Sequence, residues 1–340
     1  MASSEEYPVK TCPLQQIIKY RNIHKMKIIL PVIKDINEKN DMGYPPLVYA
    51  CEQEDNDQML ELLIEHPNLD PLVTETRDMQ NALHILAFKG KLMWIKKIFE
   101  KFPHIPVDSF TEKGNTPLIM AAQMDHVDVI EYLHEKGANV NHSNNELKFT
   151  ALHYAANNGY TKSTKRLLEL GANIEARDAR ECTPLIKACS WNFLETCKIL
   201  VHNGADINAE NAIHLSSLGI AATREHTTEL IKFLLEEGAN PNTISKDRYG
   251  NVYTPLVNAC KAKNVVLMKI LIEKGSDVNI PGNYSSALFQ CIKEDFYDGV
   301  VELIKAGVNL YGKQNHGRTA LGLANYYKKY DIASLIQENL

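Results

Sequence analysis

Gly114-Asn115-Thr116-Pro117-Leu118-Ile119-Met120-Ala121-Ala122, closed by Gly137-Ala138-Asn139-Val140-Asn141, is the stretch from which the rest of the chain can be read. Thr116 is a good helix N-cap, because its hydroxyl can accept an orphan backbone N–H. Pro117 at the first helical position gives up only a donor with no intrahelical partner. Leu118, Ala121 and Ala122 then fall on one helical face, with the alanines allowing close approach of a neighbour. Val127, Val129, Ile130 and Leu133 form the apolar stripe of a second helix. Gly137 ends that helix, where a left-handed residue is least costly as glycine.

Aligning on Leu118 finds the same unit throughout the 340 residues, with anchors at Leu14, Leu47, Leu83, Leu118, Leu152, Leu185, Leu218, Leu256, Leu288 and Leu321. The period is near 33 residues, and the terminal glycine recurs at Gly171, Gly204, Gly238, Gly275 and Gly307. One unit cannot bury its own stripe, so stacking on neighbours is obligatory. Thr116-Pro117-Leu118, Thr183-Pro184-Leu185, Thr254-Pro255-Leu256 and Ala151-Leu152-His153, with their Gly-Ala-Asn/Asp closers, resemble the ankyrin repeat. The expected fold is an all-α ankyrin-repeat solenoid, each repeat a helix-turn-helix with a β-hairpin finger. Residues 1–10 are expected to form a tail and 11–340 one repeat domain of about ten repeats, the first and last acting as caps.

The departures from the pattern locate variation. His66-Pro67 and Phe102-Pro103 replace the Gly-Ala stop in units 2 and 3. Unit 7 has Ser216-Ser217-Leu218 in place of Thr-Pro-Leu, an extra residue in its helix pair, and a long finger from Thr243 to Tyr253. Trp94 sits on the second-helix stripe and reads as core. His84 and His153 directly follow their anchors, the TPLH position of the resemblance, where the imidazole bonds between backbones of adjacent turns.

The charge is −5, from 42 acidic and 37 basic residues mixed along the chain, which offers no basic footprint for nucleic acid. The start, Met1-Ala2-Ser3-Ser4-Glu5-Glu6, lacks a signal-peptide pattern and no long apolar run follows, so membrane insertion is not expected. A cytoplasmic location follows, with the nucleus also open. The seven cysteines show no CxxC pair, and Cys51, Cys189 and Cys260 align with Ala122, so they read as small core residues. No phosphate loop, HExxH, GxSxG or kinase signature survives the repeat alignment. Neither catalysis nor a cofactor or metal is expected.

The resemblance places partner-binding residues at the positions six, five and three before each anchor and five and six after it. The candidates are Tyr44, Phe88, Lys89, Lys113, Met124, Phe149, Asn158, Arg180, Trp191, Arg224 and Tyr284, with Arg248, Tyr249 and Tyr253 added from the long finger. Aromatics and arginines dominate interface hot spots. The expectation is a monomeric scaffold or adaptor binding one or more proteins or extended peptides on a concave face. The rival readings are an inhibitor or targeting subunit of one enzyme, and a host-directed effector. Asn208 and Asn279 also match the spacing seen in ankyrin substrates of the asparaginyl hydroxylase that acts on hypoxia-inducible factor, although Asn there equally serves hairpin hydrogen bonds.

Overall fold

The Thr-Pro signature does locally what its chemistry requires: the Thr116 side chain accepts from the Ile119 amide at 3.3 Å, and Pro117 opens the helix. Thr183, Thr254, Ser286 and Thr319 cap their helices in the same way. So does Ser216, whose side chain accepts from Gly219. The divergent Ser216-Ser217 pair is therefore a conservative replacement as far as capping is concerned.

In the computed structural model, the described residues are 13–224, 226–246, 252–280, 286–313 and 317–340. They form helices in consecutive pairs: α1 (Pro13–Lys19) with α2 (Ile23–Ile29), α3 (Pro46–Glu52) with α4 (Asp57–Glu65), α5 (Ala82–Phe88) with α6 (Leu92–Lys101), α7 (Pro117–Ala122) with α8 (Val127–Glu135), and α9 (Ala151–Asn157) with α10 (Thr161–Glu169). The pairing continues with α11 (Pro184–Ser190) and α12 (Leu194–His202), α13 (Ser217–Ala221) and α14 (Thr228–Glu236), α15 (Pro255–Lys261) and α16 (Val265–Glu273), α17 (Ala287–Lys293) and α18 (Tyr297–Lys305), and α19 (Ala320–Tyr326) and α20 (Tyr330–Glu338).

Packing divides the chain into two compact units. The first runs to Ala155 and includes Tyr160–Asn173; the second comprises Ala156–Gly159 and Ile174–Leu340. Within the first, the inner helix α3 packs on α1 and α5, and α5 on α7; within the second, α11, α13, α15, α17 and α19 pack in turn. The anchors are the core: Leu14, Leu83, Leu118, Leu152, Leu185, Leu218, Leu256 and Leu288 are all buried, as are Ala121 and Ala122. Each such leucine contributes about 2 kcal/mol through removal from water. Trp94 is buried, with its indole N–H donated to Asp57 at 2.8 Å.

The second helices α8, α10, α12, α14, α16 and α18 end as expected on a left-handed glycine, with φ of +94° at Gly137 and +92° at Gly204. The turn inside each pair is left-handed as well, and is often occupied by a residue other than glycine, such as Asp125 and Asn192. In the proline-stopped units, α4 gives way to an extended His66 and α6 to a non-helical Phe102. The fingers are short. Ladder pairing among the described residues extends to two residues per strand only between β1 (Ser245–Lys246) and β2 (Val252–Tyr253), while others close with a single bridge such as Ser143 with Thr150.

Five of the described fingers are braced from inside by one polar side chain. Asn40, Asn144 and Asn211 each accept two finger amides, and Asp178 accepts those of Arg180 and Cys182 at 2.8 Å. The Glu75 carboxylate accepts three, from Arg77, Asp78 and Gln80. Adjacent fingers are then joined by a backbone bond, as from Ala212 N–H to the Arg180 carbonyl at 3.1 Å.

Candidate functional site

In the first unit the predicted surface residues are largely committed to structure. The Lys89 ammonium donates to the Glu52 carbonyl at the end of α3, where a cation complements the helix dipole. Lys113 pairs with Glu146 at 3.5 Å on the surface. The Tyr44 ring is half-buried and meets Tyr49 edge-on. Phe88 and Met124 are exposed.

Phe149 departs from expectation: it is buried, stacked on His153 with ring centroids 5.4 Å apart and edge-on to Tyr154 at 5.1 Å. The following helix, α9, covers it through those two side chains. Phe149 is thus a core residue and not an exposed partner contact. Arg248, Tyr249 and Tyr284 lie outside the described residues.

The second unit gathers the remaining candidates. Trp191 follows the last residue of α11, where Ala188 and Cys189 carbonyls accept its amide. Its indole is 58% exposed, yet Nε1–H donates to Asn157 Oδ1 at 3.1 Å, and Asn157 in turn donates to Asn158 at 3.2 Å. The Arg224 guanidinium lies 5.9 Å from the ring centroid, within reach of a cation–π attraction. An exposed indole held by a hydrogen bond and a stacked cation loses little freedom when something covers it.

Trp191 forms one wall of a depression of about 580 Å3, together with Arg180, Lys187, Ile213, Leu215 and Arg224. Ile213 projects from its finger 55% exposed. Gly219, behind the lining, lets Leu215 pack closely: a Cβ there would stand 2.8 Å from a Leu215 methyl. Beneath the rim, Lys187 pairs with the buried Asp178 at 2.8 Å. Burial by itself would raise the Asp178 pKa, but the Lys187 ammonium and the two finger amides outweigh it and hold the carboxyl below its ordinary value.

This buried pair, which no repeat motif marks, fixes the finger that carries Arg180. The long-range partner of Lys187 is nine positions before it, and only the fold brings them together. Tyr253 is half-buried two repeats further on, with the Lys261 ammonium 5.8 Å from its ring centroid.

Asn208 and Asn279 are exposed but not idle. Asn208 Oδ1 accepts from the Asn240 amide at 2.8 Å, and its Nδ2 donates to the Gly238 carbonyl at 3.4 Å. Asn279 repeats this with Asn309 and Gly307, Asn242 with Asp277 and Gly275, and Asn141 with Asn173 and Gly171. Each of these four asparagines ties its finger to the next repeat, as one rung of a ladder.

The buried histidines are structural as anticipated. His84 Nε2 bonds the carbonyls of Ser109 and Asn115 at 3.0 and 3.1 Å, while Asn81 N–H donates to Nδ1. Burial lowers its pKa to about 4, partly opposed by those carbonyls. Among the described residues six cysteines are free and buried, and the Cys189 and Cys197 sulfurs lie 3.5 Å apart in a thiol hydrogen bond. Among the described residues no cluster of His, Cys, Asp and Glu could hold a metal ion, and no helix is long and apolar enough to cross a membrane.

Known proteins resemble this chain through the same repeats. The family description "Ankyrin repeats (3 copies)" matches residues 141–211 and 218–314, and "Ankyrin repeat" matches 113–145. The chain belongs to the ankyrin repeat family, whose repeats are protein–protein interaction modules. It is 28% identical over 335 residues to an ankyrin repeat and KH domain-containing protein of Caenorhabditis briggsae, covering 85% of this chain and 12% of the relative. It is 23% identical over 354 residues to a putative ankyrin repeat protein of Acanthamoeba polyphaga mimivirus, covering 97% of this chain and 43% of the relative. The chain thus spans less than half the length of either. Among solved structures, the ankyrin repeat domain of Bcl-3 matches with a TM-score of 0.58 at 24% identity, covering 65% of this chain and 99% of that one. The human ASB11 ankyrin repeat domain matches with a TM-score of 0.55 at 26% identity, covering 66% and 98%.

Proposed function

We propose that this protein is a non-catalytic binding scaffold, and that the depression walled by Trp191 is where a protein or extended peptide docks. The observation that carries the reading is the indole itself, 58% exposed but restrained by Asn157 and Arg224. Exposing so large an apolar surface is unfavourable without a use, and Trp and Arg are among the residue types enriched at the energetic centre of an interface. Arg180, Trp191, Arg224 and Tyr253 form the working site. An inhibitor or targeting subunit would use the same surface, and differs in what it binds rather than how.

Affinity capture with the full chain, followed by identification of bound proteins, tests the reading. Trp191→Ala should remove at least one specific partner while leaving the thermal midpoint of the chain unchanged, because the ring contributes little to the core. Retention of every partner by Trp191→Ala sinks this site. Asn208 and Asn279 we assign to the inter-repeat ladder.

A further inference from the structure

We infer that the Trp191 groove takes an extended acidic segment of a partner, which seats two apolar side chains, one on either side of Ile213. This rests on the peptide-binding reading above and adds the chemistry of the occupant. Ile213 and Leu215 are shared walls: on one side lies the depression with Trp191, and on the other a second depression of about 220 Å3 with Tyr253, Asn258 and Lys261. The apolar lining of both is mainly aliphatic, suited to alkyl side chains.

The charges around these two depressions are one-sided. Arg180, Lys187, Arg224 and Lys261 line them, and no carboxylate does among the described residues. The nearby acids are occupied or outside the lining. Asp178 is held by Lys187, and Glu210 faces His214 at 3.1 Å. Glu181 adjoins Arg180 on the exposed finger without lining either depression, and Glu225, next to Arg224, lies outside the described residues. Lys187 is neutralised, whereas Arg180, Arg224 and Lys261 are exposed and make no ion pair within 4 Å among the described residues.

Guanidinium groups suit planar carboxylates, which they can hold in a forked, bidentate geometry. The two depressions belong to successive repeats, spaced on the order of 10 Å. A chain in the extended polyproline II form advances about 3.1 Å per residue and returns a side chain to the same face every third residue, so the two apolar side chains should stand about three residues apart. A single-stranded nucleic acid would need a run of stacking rings, and Trp191 is the one strongly exposed aromatic in this lining.

A random dodecapeptide library displayed on phage, panned on the full 340-residue chain, reads out the chemistry directly. The enriched sequences should carry Asp or Glu beside two apolar residues about three apart. A synthetic peptide from that set should bind Trp191→Ala about 30-fold more weakly, and the double variant Arg180→Glu with Arg224→Glu at least about 10-fold more weakly. Replacing its acids with lysine should restore binding to the double variant. All the substituted side chains are exposed, and circular dichroism melts would verify folding.

Enrichment of peptides that depend on Trp191 but carry no acids would overturn the acidic inference and leave the docking site standing. No enrichment, or none that depends on Trp191, would remove both. Oligouridylate binding tighter than any selected peptide, and lost in the same variants, would assign the groove to RNA instead.

Discussion

His84 shows how much one side chain is asked to do inside a repeat. Its ring is fully buried and bridges the Ser109 and Asn115 carbonyls to the Asn81 amide, thereby linking its own helix to the following finger. Those bonds suit a neutral imidazole with the proton on Nε2. Burial lowers the folded-state pKa to about 4, below the unfolded value of about 6.5. The unfolded chain therefore takes up the proton first on acidification. His84 contributes its full stabilisation above about pH 6.5 and loses it progressively as the pH falls to about 4, a loss of about 3 kcal/mol at 1.36 kcal/mol per unit. Urea unfolding of wild type and His84→Gln at pH 7 and pH 4.5 should show a distinctly shallower pH dependence for the variant. Equal slopes would mean that the imidazole is not the titrating group.

At the scale of elements, the asparagine ladder accounts for a preference that capping and hydrophobic period leave unexplained. One exception is built into the second unit: Glu175 stands where Asn141 and Asn208 stand in their repeats. It accepts from the Asp206 amide at 2.8 Å, but a carboxylate has no N–H to offer the Gly204 carbonyl. Glu175→Asn should therefore stabilise the chain by about 0.5 kcal/mol, and Asn208→Ala should destabilise it by about 1 kcal/mol, measured by denaturant midpoint. If both changes are neutral, the ladder is only a geometric accompaniment of stacking.

The helices were legible because their determinants are local: a capping hydroxyl, a proline, an apolar face and a stopping glycine all lie within one period. Phe149 and Trp191 were not separable by that means. Both occupy positions assigned to one face, but Phe149 folds back under His153 and Tyr154 of its own repeat while Trp191 stays open, a side-chain direction that spacing alone does not give. The Asp178–Lys187 pair was missed for a related reason, since finger and helix must fold together before either charge has a partner.

For the molecule as a whole, stability in a repeat stack is a sum over units and their nearest neighbours, so its weakest unit sets where it opens. In the second compact unit that place is the pair α13 and α14. The inner helix α13 has five residues where α11, α15, α17 and α19 have seven. Gly219 lies in its middle, at a cost of about 1 kcal/mol relative to alanine. The connection from α13 to α14, residues 222–227, is three residues longer than that from α11 to α12, and Thr227 partly compensates by donating its hydroxyl to the Ala221 carbonyl at 2.9 Å. The same short helix supplies Ile220 to the floor of the Trp191 depression, and Arg224 follows it at the rim. A groove floored by the least stable repeat gains order when filled, because a ligand that contacts Arg224 and Ile213 stabilises the closed state by mass action. Hydrogen exchange should consequently find α13 exchanging ahead of α11 and α17 in the free chain, and a saturating groove-binding peptide should slow α13 by about 100-fold when held at about 100 times its Kd. Uniform protection of α11, α13 and α17 in the free chain would show that the short helix is not the weak point, and that the groove is floored by a unit as stable as its neighbours.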